Sequence, residues 1–118
     1  MFKALAICIP IFLILGCGEE KQIVQQPSVS IGETHWKSSC ASCHGANALG
    51  VPEIAPTVVG STFVANSSDK ELSAYITVGR KADDPRSVMN LEMPAKGGNP
   101  MLKETDILSI VAYIRSIQ

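Results

Sequence analysis

Two cysteines spaced by two residues and followed at once by a histidine, Cys40-Ala41-Ser42-Cys43-His44, constrain this chain more than any other feature. On a helix the two thiols fall about one turn apart and share a face. The histidine projects from the next position. Four uses of such a cluster compete. A dithiol redox pair has the same cysteine spacing but sits in a βαβ context, and no run ahead of Cys40 alternates like a strand. A zinc site needs a fourth donor, for which only His35 stands out, and the adjacency of Cys43 and His44 suits a tetrahedral ion poorly. A disulfide across so short a span makes a poor loop.

The fourth use is attachment of a c-type haem, for which C-x-x-C-H is the signature. Two sulfurs one turn apart can reach the two vinyl groups on one side of a porphyrin. The adjacent imidazole can then turn beneath the ring to bind iron. The rest of the chain agrees with this use. Three helices are expected, over about Ile31 to Ala41, Asp69 to Val78 and Thr105 to Ile117. Ser68 and Glu71 form a capping box for the second, and Gly79 can end it. Ile107, Val111 and Ile114, with Ile110 and Ile117, give the third an apolar stripe. The connections, Gly45 to Ser67 and Arg80 to Lys103, are rich in Gly and Pro. Structureless loops that long count against a compact small domain unless they wrap something that is not protein. A haem would supply that missing core, which a single domain of this length needs. The expected architecture is all-α: three main helices with long loops wrapped round one covalent haem.

A low-spin haem iron takes a second axial ligand from the opposite face. His35, Met89, Met93 and Met101 are the candidates. His35 precedes Cys40 by five residues on the same helix, which turns it away from that face. Met101 lies beside the third helix, where Met is core material. Met89 and Met93 both fall in the second long loop. Met93 is preferred because Pro94, with its fixed φ, would stiffen the loop behind it; Met89 stays open as the alternative.

The N-terminus reads as a targeting segment. Met1-Phe2-Lys3 is a short basic start, and Ala4 to Leu15 is an apolar run too short for a comfortable membrane span. It ends Ile14-Leu15-Gly16-Cys17, which resembles a bacterial lipoprotein signal with Cys17 as the lipid attachment site. Cys8 would leave with the signal. The expected division is a signal peptide over 1–16, a polar membrane tether over 17–28 and the folded domain over 29–118. The protein is then exported and lipid-anchored on the outer side of the cytoplasmic membrane or in the periplasm.

From Ile31 to the C-terminus the chain resembles the class I cytochromes c. Gly32 and Trp36, eight and four residues before Cys40, match that family's first-helix pattern of a small residue and an aromatic. Tyr113 resembles the aromatic partner on the last helix, and this implies that the first and last helices cross closely. Pro56, twelve residues after His44, resembles the family's proline whose carbonyl accepts a hydrogen bond from the axial histidine. Met93-Pro94 resembles its ligand pair, so the implied iron ligands are His44 and Met93. The run Lys96 to Pro100 is similar to domains linked to respiratory oxidases. Three positions depart from the pattern or leave it open. Lys81 to Glu92 is longer than in many small members. Lys103 and Glu104 occupy the start of the last helix, which moves the expected cap to Thr105 or weakens it. Arg80 resembles a position that can meet a haem propionate, and a solvated surface Arg is the plain alternative.

The resemblance implies an electron carrier in a respiratory or related membrane-associated chain, working by single-electron transfer through its haem. Its partners would be a redox donor and acceptor, such as a quinol-oxidising complex or a terminal oxidase. The alternatives are a fixed haem subunit of a larger membrane oxidoreductase, and a haem sensor with an open distal site. No paired carboxylates, activated nucleophile or phosphate-binding Gly loop suggests an enzyme. The net charge of −1, without a basic run or stripe, argues against nucleic acid as a partner.

Overall fold

The structure is a computed structural model that describes residues 26–118. The expected signal peptide, the lipid attachment at Cys17 and most of the expected tether lie outside those residues. The described part is all helix and loop. Five α-helices follow one another: α1 (Val29–His35), α2 (Ala41–His44), α3 (Thr62–Asn66), α4 (Asp69–Val78) and α5 (Glu104–Ser116). The only extended pairings among the described residues are two isolated antiparallel bridges, Val51 with Ala55 and Arg80 with Met93.

The first helix differs from its sequence expectation. It begins two residues earlier, at Val29, and does not run straight to Ala41. Between α1 and α2 the chain widens into a π-helical turn, Trp36–Cys40. Such turns cluster at functional sites because they rotate side chains off the regular helical path. Here the turn buries Trp36 and Cys40 together. Gly45, at φ +80, then stops α2 directly after His44.

The close crossing of α1 and α5 is present and rests on Gly32. A Cβ built there would lie 1.9 Å from the Ser109 carbonyl oxygen and 2.9 Å from Cβ of Tyr113. No larger residue fits without moving one helix. One turn further along the chain, at the start of the π turn, the Trp36 and Tyr113 ring centroids stand 5.9 Å apart, within the range of favourable aromatic pairs. The α5 stripe is the spine of the core. Ile107, Ile110, Val111 and Ile114 are all buried, with Leu72 and Ile76 of α4, Val64 of α3 and Leu102 around them. Burial of each such side chain favours folding by roughly 1.5–3 kcal/mol.

Capping sets the helix boundaries. Ser68 Oγ accepts from Glu71 N at 3.2 Å and Glu71 Oε2 accepts from Ser68 N at 2.7 Å, so the expected box starts α4. Thr105 does not cap α5. That helix begins at Glu104, where the Asp106 carboxylate reaches back to Lys103 N at 2.9 Å. α3 falls inside a stretch, Gly45 to Ser67, that the sequence shows only as a loop. Ser61 caps it by accepting from Val64 N, and its five residues are too few to show a period. Arg115 secures this segment to α5, through Asp69 at 2.8 Å, the Val64 carbonyl at 2.7 Å and the Ser67 carbonyl.

Candidate haem-binding site

The helices and loops enclose two adjoining cavities of about 250 and 480 Å³. Cys40, His44, Pro56, Tyr75, Arg80 and Met93 line both, and Cys43 lines the smaller. Together they have the size and apolar walls of a cofactor pocket. The walls come from all parts of the fold: Trp36 from the π turn, Val64 and Phe63 from α3, Leu72 and Ile76 from α4, Ile110 and Ile114 from α5.

The two cysteines are free thiols with different surroundings. Cys40 is buried and Cys43 is exposed. Burial pushes the Cys40 thiol up to about 11, with the nearby Cys43 adding to the rise. A redox dithiol needs the opposite, a thiol made more acidic by its surroundings. Zinc also lacks its donors, since no three His, Cys, Asp or Glu side chains gather to hold a metal ion among the described residues.

His44 is held in one orientation. Its Nδ1 lies 3.1 Å from the Pro56 carbonyl oxygen. A carbonyl can only accept, so Nδ1 carries a proton, and in the neutral imidazole this leaves the lone pair on Nε2. An imidazole arranged this way is ready to bind a metal through Nε2, and the hydrogen bond raises its donor strength. Trp36 braces the segment, donating from Nε1 to the Gly45 carbonyl at 3.1 Å, with its ring 5.8 Å from that of His44.

The second long loop is closed at its base. Arg80 N donates to Met93 O and Met93 N donates to Arg80 O, both at 2.8 Å. Residues 81–92 thus form an excursion that leaves and rejoins the fold at one place. Met93 is half-buried at the pinch and lines both cavities. Met89, inside the excursion, lines only the smaller. Met101 is 81% exposed and lines neither. His35 turns to α5, with Nε2 3.4 Å from Asp106 Oδ1. Behind Met93 the chain is tied to the π turn by Asn99 Nδ2, which donates to Ser39 Oγ at 3.0 Å.

The donor set fits a covalent porphyrin with axial nitrogen and thioether ligands. Two free thiols, an imidazole with a free Nε2 and a methionine share one apolar cavity. The cytochrome c family model matches residues 29–118. The chain belongs to the cytochrome c family. Its cofactor is a covalently bound haem c, through which it transfers electrons. Cytochrome c-555 of Prosthecochloris aestuarii is 28% identical over 103 residues, covering 80% of this chain and 92% of that protein. The cbb3-type cytochrome c oxidase subunit CcoP of Rhodobacter capsulatus is 29% identical over 101 residues, with 81% of this chain covered. The cytochrome bc1 complex cytochrome c subunit of Mycobacterium tuberculosis (strain ATCC 25618 / H37Rv) is 31% identical over 85 residues, with 72% of this chain covered. The last two are longer proteins, of which the match spans 33% and 26%.

Proposed function

We propose that this cytochrome is a lipid-anchored single-electron carrier on the outer side of the cytoplasmic membrane or in the periplasm. Cys40 and Cys43 would hold the haem, His44 and Met93 would bind its iron, and Cys17 would carry the lipid. The observation that carries the haem geometry is the His44 Nδ1 contact with the Pro56 carbonyl, because it leaves Nε2 free beside the cavity that Met93 also lines. When bound, the haem supplies one reversible electron. The protein's part is to keep both ligands in place in either oxidation state, so that little reorganises. Binding by the His44 imidazole and the Met93 thioether, in an apolar pocket, would favour the ferrous state and raise the potential. The relatives include proteins named as parts of an oxidase and of a bc1 complex, which supports a quinol-oxidising complex or terminal oxidase as partner.

The test is the visible spectrum of the full chain matured with a haem-attachment system, washed in acid-acetone. Colour that stays, with sharp reduced bands and a weak red ferric band, is expected. Retained colour without the red band removes Met93 from the iron and favours an open distal site. Colour lost in the wash sinks the haem reading. Radiolabelled fatty acid that enters the wild type but not Cys17→Ser tests the anchor separately.

A fixed subunit of a larger oxidoreductase is the second reading. The exposed Ile54, Val88 and Leu91, all on the lining of the smaller cavity, favour it. Co-purification of a membrane complex after mild detergent extraction supports this reading, and a monomeric cytochrome argues for the free carrier.

A further inference from the structure

The turn that carries Cys40 and the segment that follows Met93 meet at the wall of the smaller cavity, which Ser39 and Gly97 both line. The approach is close. A Cβ built on Gly97 would lie 2.9 Å from the Ser39 carbonyl oxygen and 3.8 Å from Cys40 Sγ. Across this contact Asn99 Nδ2 donates to Ser39 Oγ at 3.0 Å, and Ser39 is buried. Among the described residues no other hydrogen bond joins the π turn to the Met93 segment.

The orientation of the Asn99 amide is fixed by its other end. Met101 N can only donate, and it meets Asn99 Oδ1 at 3.1 Å, so Nδ2 faces Ser39. The main chain of Asn99 is engaged as well. Its N donates to the Lys96 carbonyl and its carbonyl accepts from Leu102 N, both at 3.2 Å. Leu102 is buried in the core, and Lys96 Nζ donates to its carbonyl at 2.8 Å. Toward the ligand, Gly97 N donates to the Pro94 carbonyl at 3.1 Å. Residues 94–102 thus form a stiff bracket with Met93 at one end and the core at the other, and Asn99 pins its middle to the π turn.

We propose that Ser39 and Asn99 are positioning residues for the axial thioether: their hydrogen bond locks the haem-attachment turn to the Met93 segment and keeps Met93 on the iron in the ferric state. This rests on the haem reading above and on Met93 as ligand. The two segments would hold opposite faces of one ring, with Cys40, Cys43 and His44 on the turn and Met93 on the bracket. A slip between them moves Met93 away from the ring and leaves His44 in place. The oxidised state is the more sensitive one, because a thioether is a soft donor and ferric iron is a harder acid than ferrous iron.

The experiment is a spectroscopic titration of the ferric, haem-loaded protein with imidazole, which takes the distal position only when Met93 has left it. The samples are wild type, Ser39→Ala, Asn99→Ala, the double variant and Ser109→Ala. Acid-acetone washing and the red ferric band of the wild type first establish attached haem and thioether ligation. Ser39→Ala and Asn99→Ala are each expected to tighten imidazole binding by roughly fivefold, the equilibrium effect of one ordinary hydrogen bond. The double variant should show the larger single effect and not the product, because both changes remove the same bond. Ser109 Oγ accepts from Ser28 N at 3.2 Å, where α1 begins against α5 and away from the cavity lining. Ser109→Ala therefore reports general loosening, and it is expected to lower the denaturant midpoint while leaving imidazole binding unchanged. Unchanged imidazole binding in Ser39→Ala overturns the proposal, as does a double variant that shows the full product. An equal tightening in Ser109→Ala overturns it by making the effect one of global stability. A wild type that loses its colour in the wash overturns the haem reading beneath it, and one that keeps its colour without the red band overturns the Met93 assignment, so each failure is told apart from an idle Ser39–Asn99 bond.

Discussion

Arg80 and Met93, thirteen positions apart, exchange both backbone hydrogen bonds, so the twelve residues between them hang from a two-residue clamp. The placement of Met93 therefore depends on the clamp and on Pro94 and Asn99 behind it, and little on the excursion. Replacing residues 82–91 with a short Gly-containing turn is expected to keep the red ferric band of the haem-loaded protein. Loss of the band in the shortened protein would show that the excursion itself holds the ligand.

The two methionines of that loop differ in the same way. Met93 lines both cavities at the clamp, and Met89 lines one from within the excursion. Met93→Leu keeps the bulk but removes the sulfur, and it is expected to abolish the red band and open the iron to carbon monoxide. Met89→Leu is expected to do neither. The reverse pattern would transfer the ligand role to Met89.

How much of this was legible in the sequence depends on how local the cause is. The Ser68–Glu71 box and the α5 stripe are written in residues three or four apart, and both were readable. The Gly32, Trp36 and Tyr113 crossing was readable only through the family resemblance, because nothing local links α1 to α5. The π turn at Trp36–Cys40 carries no period of its own, and α3 is shorter than two turns. Arg80 could be noticed but not resolved, since its burial depends on Phe63, Tyr75 and Arg86 arriving from separate segments. The Arg80–Met93 pairing is non-local and left no pattern.

Two glycines separate strain from collision. Gly60 has φ +67 and open space where a Cβ would go. Gly60→Ala is expected to cost about 1 kcal/mol, the penalty of the left-handed conformation alone. Gly79 has φ +76, and its Cβ would lie 2.3 Å from the Met93 carbonyl oxygen and 2.7 Å from Ala95 N. Gly79→Ala must displace the ligand segment as well as strain the turn. It should weaken the red band and destabilise the haem-loaded protein by about 3 kcal/mol, measured by denaturant unfolding. Equal effects at the two sites would mean that the Met93 segment yields freely.

Acid should unfold the protein partly through two surface carboxylates. Glu71 is held below the usual carboxylate range, first by the Ser68 backbone N–H and then by the Ser68 hydroxyl. Asp84 is held lower still, first by the Arg86 side chain and then by its backbone N–H. Both have folded pKa values below their unfolded ones. Their stabilisation is therefore present above the unfolded values, near about pH 4, and is lost as pH falls through the folded values. The thermal midpoint of the haem-loaded protein is expected to fall between about pH 5 and about pH 2 as these carboxylates protonate. Glu71→Gln and Asp84→Asn should each lower the midpoint at neutral pH and flatten that fall. Glu71 is exposed in the first turn of α4 and Asp84 is part-buried within the excursion, so the two are far apart in the chain; the effects should be modest and should add in the double variant. A double variant with the full acid slope of the wild type would place the acid-labile groups elsewhere.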